Sequence, residues 1–211
     1  MVSPHASGML IVLEGLDGCG KSTQVDRLVR WLRGCQSLQV IQLREPGGTR
    51  LGEQLREMML GQPVTPLAET LLFSAARAEL VETVVKPALT SGKTVVMDRF
   101  WPSTIAYQQY GNQTDPHLTY QLTRPFSTGL DSLILWLDVP VQTCLARVRK
   151  PDLIESRGVG YFERVRAGYQ WLADTAQIVR VDGDRDPDSV AQQLRDLVAL
   201  ALINRRIEQV V

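Results

Sequence analysis

An α/β fold, with a central five-stranded parallel sheet and helices on both faces, is predicted by three observations. Short apolar runs alternate with stretches of helical spacing along the whole chain, the first run stops at a glycine-rich loop, and a helix follows that loop at once. Met9 to Glu14 is rich in Leu, Ile and Val, as a strand covered on both faces requires. Ser22 and Thr23 then open an amphipathic helix with Val25, Leu28, Val29 and Leu32 on one face.

Val40 to Leu43 reads as the second strand and breaks at Arg44-Glu45-Pro46-Gly47-Gly48-Thr49, where proline and two glycines forbid continuation. Gly52 to Leu60 resumes helical spacing, and so does Leu67 to Val85, whose apolar positions include Leu71, Leu72, Ala75, Leu80 and Val84. Pro87 is expected to close this helix. Thr94 to Met97, Leu133 to Leu137 and Ile178 to Val181 supply the remaining strands, the first two running into Asp98-Arg99 and Asp138. Helices are expected from about Val141, over Phe162 to Ala173, and from Asp188 to about Ile203. Without a repeat or linker to divide it, the chain is expected to form one domain over residues 9–211, behind a loose and dispensable extension over residues 1–8.

Lys plus Arg and Asp plus Glu number 23 each, so there is no net field to draw the chain to nucleic acid or an anionic membrane. The longest apolar stretch, Leu197 to Ile203, falls far short of the roughly 20 residues needed to span a bilayer, and a cytoplasmic location is expected. Cys19, Cys35 and Cys144 show no paired spacing and read as ordinary reduced residues. His5 and His117 stand far apart, without companions that would make a zinc site.

Gly15-Leu16-Asp17-Gly18-Cys19-Gly20-Lys21-Ser22 satisfies the pattern of a phosphate-binding loop and lies between strand and helix, which places the chain in the P-loop NTPase fold. Its amides are expected to cradle the ATP phosphates at the positive end of the helix, with Thr23 just beyond. Lys21 would reach the β- and γ-phosphates, and the Ser22 hydroxyl would join a magnesium shell. A turn that binds nothing would explain neither the lysine and serine nor their placement. Asp98 ends a buried strand, where a carboxylate needs a cation. Magnesium would supply one, and a salt bridge or cap is the other reading. Arg99 beside it is either a surface arginine or, at the edge where open α/β sheets bind ligands, a contact for an acceptor phosphate.

The loop alone fits ATPases, GTPases, nucleotide kinases and motors; a guanine-reading Asn-Lys-x-Asp is absent. From Asp17-Gly18 onward the chain resembles thymidylate kinases, over about Leu10 to Leu194. The blocks that carry the resemblance are Arg44 to Thr49, Leu71 to Arg77, Asp98-Arg99 with Ser103-Thr104 and Ala106-Tyr107-Gln108, and Tyr161 to Arg166. The resemblance implies ATP and dTMP as substrates, a homodimer, a lid at about 146–160, and a Glu45-Pro46 cis peptide. It also implies Phe73 stacked on thymine, Arg77 donating to a pyrimidine carbonyl, and Arg99 and Arg56 on the dTMP phosphate. Asp17 would then serve the sugar hydroxyl or the acceptor phosphate, with Ser103, Thr104, Tyr107 and Gln108 lining the base and sugar pocket. Without the resemblance, Phe73 reads as a core residue and Arg77 as a solvated charge.

Catalysis by positioning and charge neutralisation is expected to rest on Lys21, Asp17, Arg99 and an arginine from the lid, with no general base. Leu153 stands where the family usually has that arginine, so Arg149, helped by Arg147 and Lys150, is expected to cover the phosphates. Gly158 and Gly160 either hinge the lid or simply turn the chain. Three rivals remain open: a kinase of another pyrimidine nucleotide, a P-loop ATPase switch, and a binding module with a decayed lid.

Overall fold

The computed structural model describes residues 8–34, 38–128, 130–149 and 152–208, with side chains as far as 205. Expectations that fall on residues 1–7, Cys35 and Lys150 lie outside the described residues. Five parallel strands, β1 (Leu10–Glu14), β2 (Val40–Arg44), β3 (Thr94–Asp98), β4 (Ser132–Asp138) and β5 (Val179–Asp182), pair in the order β2-β3-β1-β4-β5. The register sets Leu13 opposite Asp98 and Glu14 opposite Trp136, which aligns the carboxyl ends of β1, β3 and β4 along one edge.

The helices are α1 (Lys21–Gly34), α2 (Arg50–Gly61), α3 (Pro66–Leu80), α4 (Lys86–Thr90), α5 (Trp101–Ser103), α6 (Pro116–Ser127), α7 (Val141–Arg147), α8 (Val159–Asp174) and α9 (Pro187–Glu208). The chain moves one way along the sheet from β1 to β2 and the other way in later crossovers, so right-handed connections put helices on both faces. Accordingly α1 packs with α9, against β2 and β3, while α4 packs on β3 and α8 on the segment after α5. Leu10, Ile11, Val12 and Leu13 of β1 are completely buried at the centre. No helix among the described residues is long and apolar enough to cross a membrane.

The structure corrects several boundaries. Gly8, assigned to the extension, is buried: its amide donates to Leu89 O at 2.7 Å. Pro87 does not close the long helix. The backbone widens into a π-turn over Val81–Val85, where the Lys86 amide reaches Val81 O, and continues as α4 with Pro87 in its first turn. Proline lacks an amide and is tolerated there. In α3, Leu71 and Ala75 prove exposed while Glu69, Thr70, Ser74 and Arg77 are buried, because that face borders a polar site rather than the apolar core. Two further helical segments lie outside the expected elements: a π-helix over Thr104–Gly111, running on from α5, and α6, whose Asp115 cap, first-turn Pro116 and amphipathic spacing were open to reading. The π-helix is buried continuously from Thr104 to Gln108, so it has no polar stripe to mark its period, and α6 carries Pro125.

Helix α8 meets the π-helix backbone to backbone at Gly168, where a Cβ would stand 2.8 Å from Ala106 Cα. Trp136 of β4 stacks on Tyr169 beside that contact, with ring centroids 5.8 Å apart. Gly168→Val should therefore destabilise the fold by about 1–3 kcal/mol, as overpacking does, which a urea midpoint would register.

Candidate active site

The loop from Gly15 to Gly20 leaves β1 and enters α1 at Lys21. At Gly18, φ is 82° and a Cβ would lie 2.2 Å from Cys144 O, so only glycine fits the approach of the loop to α7. Lys21 is 5% exposed and curls over the loop, its Nζ donating to Leu16 O at 2.8 Å and standing 3.8 Å from Asp17 Oδ1. Leu16 and Cys19 are buried under the loop, while Ser22 and Thr23 face solvent in the first turn of α1. Burial and loss of hydration raise the Cys19 thiol, and burial pushes that of Cys144 up to about 12. Both thiols are free.

Ser22 Oγ donates to Asp98 Oδ2 at 3.0 Å, so the two residues expected to serve a metal are brought together. A hydroxyl and a carboxylate beside a phosphate cradle form a hard-oxygen donor set that fits magnesium. The next residue, Arg99, takes φ of 72°, a left-handed conformation that costs about 1–3 kcal/mol outside glycine. Several bonds hold it there. Its amide donates to Leu13 O at 3.0 Å, Nη2 donates to Asp17 Oδ1 at 2.6 Å and to Tyr107 OH at 3.0 Å, and Nη1 to Ser103 Oγ at 3.2 Å. Burial opposes ionisation of Asp17, but Arg99 and Lys21 outweigh it and hold its carboxyl well below the usual range. Asp17 in turn keeps the largely buried Arg99 charged against the cost of desolvation.

A half-open cavity begins at this pair and is lined by Asp17, Glu45, Pro46, Arg56, Phe73, Arg77, Arg99, Ser103, Thr104, Tyr107 and Gln108, with Asp152 and Ile154. Every residue that the sequence assigned to the acceptor pocket is among them. Phe73 is half-buried at the wall, not sealed in the core. Arg77 is not a solvated charge: at 2% exposure its Nε donates to Glu45 Oε2 at 2.8 Å, Nη1 to Thr104 Oγ1 at 2.9 Å and Nη2 to Phe100 O at 3.2 Å. Five N–H groups less those three bonds leave donors for a ligand. The Glu45-Pro46 peptide is cis, and Pro46 O accepts from Arg56 Nη1 at 3.4 Å.

The two described arginines expected to cover the phosphates stand in different surroundings. Arg149 stands exposed, whereas Arg147 Nη1 reaches Gly18 O at 3.4 Å and Nη2 lies 3.9 Å from Asp184. Leu153 is exposed on the same segment. Sequence reasoning also missed three buried acids. Glu14 accepts from the Phe100 amide at 2.7 Å, Ser103 Oγ at 2.7 Å and Tyr169 OH at 2.8 Å, which fixes the turn around Arg99. Burial raises its carboxyl, against the pull of Arg99. Its signal was available, since Glu14 closes an apolar strand as Asp98 does. Glu45 and Glu69 gave no such signal, because only the fold pairs them with Arg77 and Arg157.

Burial lifts the Glu45 carboxyl from 4.5 to about 7, against the opposing pull of Arg77, and its Oε1 is buried without a partner among the described residues. The folded chain therefore takes up a proton there at a pH where the unfolded chain has already lost it. The resulting stabilisation is full below about 4.5 and is lost as pH rises through about 7. Stability measured by urea unfolding should fall by up to about 3 kcal/mol from the low end of that window to the high end, and Glu45→Gln should flatten most of the slope.

With this geometry established, the chain can be set beside known proteins. A model of the family described as thymidylate kinase matches residues 13–194. A thymidylate kinase from Parasynechococcus marenigrum (strain WH8102) is 42% identical over 89% of this chain and 95% of its own. One from Synechococcus sp. (strain JA-2-3B'a(2-13)) is 44% identical over 90% and 94%. Among solved structures, thymidylate kinase from Ehrlichia chaffeensis superposes with a TM-score of 0.77 at 30% identity, covering 92% of this chain and 99% of the other. Fold and likeness agree: the chain belongs to the thymidylate kinase family.

Proposed function

We propose that this chain transfers the γ-phosphate of ATP to dTMP, giving dTDP and ADP. The observation that carries this reading is the Asp17–Arg99 pair, which stands where the phosphate loop meets the cavity containing Phe73 and Arg77. A donor held by the loop amides and an acceptor held in that cavity would meet phosphate to phosphate across the pair.

In this reading the thymine ring lies against Phe73, and Arg77, aimed by Glu45, donates to a base carbonyl. Tyr107, Gln108, Ser103 and Thr104 enclose the base and sugar. Arg99 and Arg56 grip the acceptor phosphate, whose geometry a planar guanidinium matches better than an ammonium does. Lys21 exchanges its carbonyl partner for the stronger, charged acceptors of the β- and γ-phosphates. Ser22 and Asp98 would hold a magnesium ion, which supplies charge neutralisation on the ATP phosphates. The acceptor phosphate is its own nucleophile, so the protein positions it and screens charge rather than moving a proton. Arg147, already in contact with the phosphate loop, shares the lid's charge with Arg149. A homodimer is supported by Leu51 and Met58 of α2 and Leu67 and Leu71 of α3, exposed on neighbouring helices. The free thiols Cys19 and Cys144 suit the reducing cytoplasm.

A coupled ADP-release assay with dTMP, dUMP, UMP and no acceptor tests the reading. Turnover is expected to need an acceptor and to be fastest with dTMP; rapid ADP release without one would instead mark an ATPase. Arg149→Ala and Arg147→Ala are expected to separate the lid roles, since a transition-state arginine is worth about 10³-fold or more in kcat. Loss below about threefold in either variant removes that residue from the role.

A further inference from the structure

Glu69 lies outside the cavity lining and has no part in the chemistry above, yet it is 2% exposed and heavily bonded. Its Oε1 accepts from Gln108 Nε2 at 3.0 Å, Asn112 Nδ2 at 2.8 Å and Arg157 Nη1 at 3.3 Å, and its Oε2 from Arg157 Nη2. Arg157 also donates to Asn112 Oδ1 at 2.7 Å and Tyr161 OH at 3.1 Å, with its guanidinium 5.0 Å from the Tyr161 ring centre.

One carboxylate thus joins three segments that all reach the acceptor cavity. Helix α3 carries Phe73 and Arg77, the π-helix carries Tyr107 and Gln108, and the strap from Asp152 to Arg157 contributes Asp152 and Ile154 to the wall. The strap is braced internally: Asp152 Oδ1 accepts from the Ile154 and Glu155 amides, both at 2.8 Å, and the Arg157 amide donates to Ile154 O at 3.1 Å. Releasing Arg157 would leave a buried carboxylate with neutral donors alone, which is costly. The fastened strap and the seated Gln108 therefore support one another.

We propose that Glu69 is a positioning residue that fastens the 152–157 strap to the acceptor cavity, so that acceptor binding and strap closure are energetically coupled through one carboxylate. This rests on the reading that the cavity takes dTMP. A pair that merely holds the fold together would show no preference between the two substrates. A coupling element weakens the acceptor side selectively.

The test combines amide hydrogen exchange with steady-state kinetics on the full chain and on Glu69→Gln, Arg157→Gln and the double variant. In the parent, dTMP is expected to slow exchange at Ile154, Glu155 and Arg157 tenfold or more. In either single variant the slowing should drop below threefold and KM for dTMP rise tenfold or more, with kcat and KM for ATP staying within threefold. The double variant should be no worse than the poorer single, since both remove the same fastening. Equal protection by dTMP in parent and variants overturns the proposal, as does a loss shared equally between dTMP and ATP. A parent that does not bind dTMP overturns the reading of the cavity itself, which separates the two failures. Should either glutamine variant fail to fold, Arg157→Lys carries the test with the same expected loss of dTMP protection, because an ammonium keeps a cation beside Glu69 but cannot make the forked contact with both carboxylate oxygens.

Discussion

At the carboxyl edge of the sheet, a carboxylate from the phosphate loop holds an arginine that β3 delivers in a left-handed backbone conformation. The Asp17–Arg99 bond spans two adjacent strands and marks the boundary between the two halves of the site. Glu14 and Tyr169 build the floor beneath it: Glu14 accepts from the amide of the residue after Arg99, and both bond Ser103, which in turn receives Arg99. Displacing that pair would disturb the phosphate loop, the turn after β3 and the π-helix together, since Tyr107 bonds both partners.

The same device recurs away from the phosphates. Glu45 aims Arg77, Glu69 receives Arg157, and Asp138 at the end of β4 takes Arg166 in a two-pronged contact together with Arg180. A buried ion pair adds little net stability once desolvation is counted. What it does supply is direction, because a guanidinium fork bonded on one side presents its remaining donors on the other. A chain with no net charge can therefore maintain strong local fields, each fixed in orientation by a partner acid.

Much of the fold is legible in the order of residues along the chain. The five strands and the phosphate loop follow from apolar runs ending at glycine or an acid, and these signals are local. The cavity lined by Phe73 and Arg77 is legible only through family resemblance, since Phe73 alone reads as core and Arg77 alone as surface. The π-helix escapes detection because burial from Thr104 to Gln108 erases the polar stripe by which a helix announces its period. Helix α3 misleads for the related reason that its buried face is polar, so Leu71 and Ala75 look like core when they face outward. Pro87 looks like a stop, and the π-turn at Val81–Val85 absorbs it.

By itself the sequence determined the parallel α/β class, the glycine-rich loop between β1 and α1, and the prominence of Ser22 and Asp98, because these depend on residues close in the chain or on strand ends whose geometry the class dictates. Only the tertiary structure decided which acid meets which arginine. Glu14, Glu45 and Glu69 find partners from residues distant in the chain, and no local pattern encodes such pairings. The physical reason is that a buried charge is tolerated only beside its counterpart. The packing of α3 and α8 against the π-helix settles where that counterpart stands.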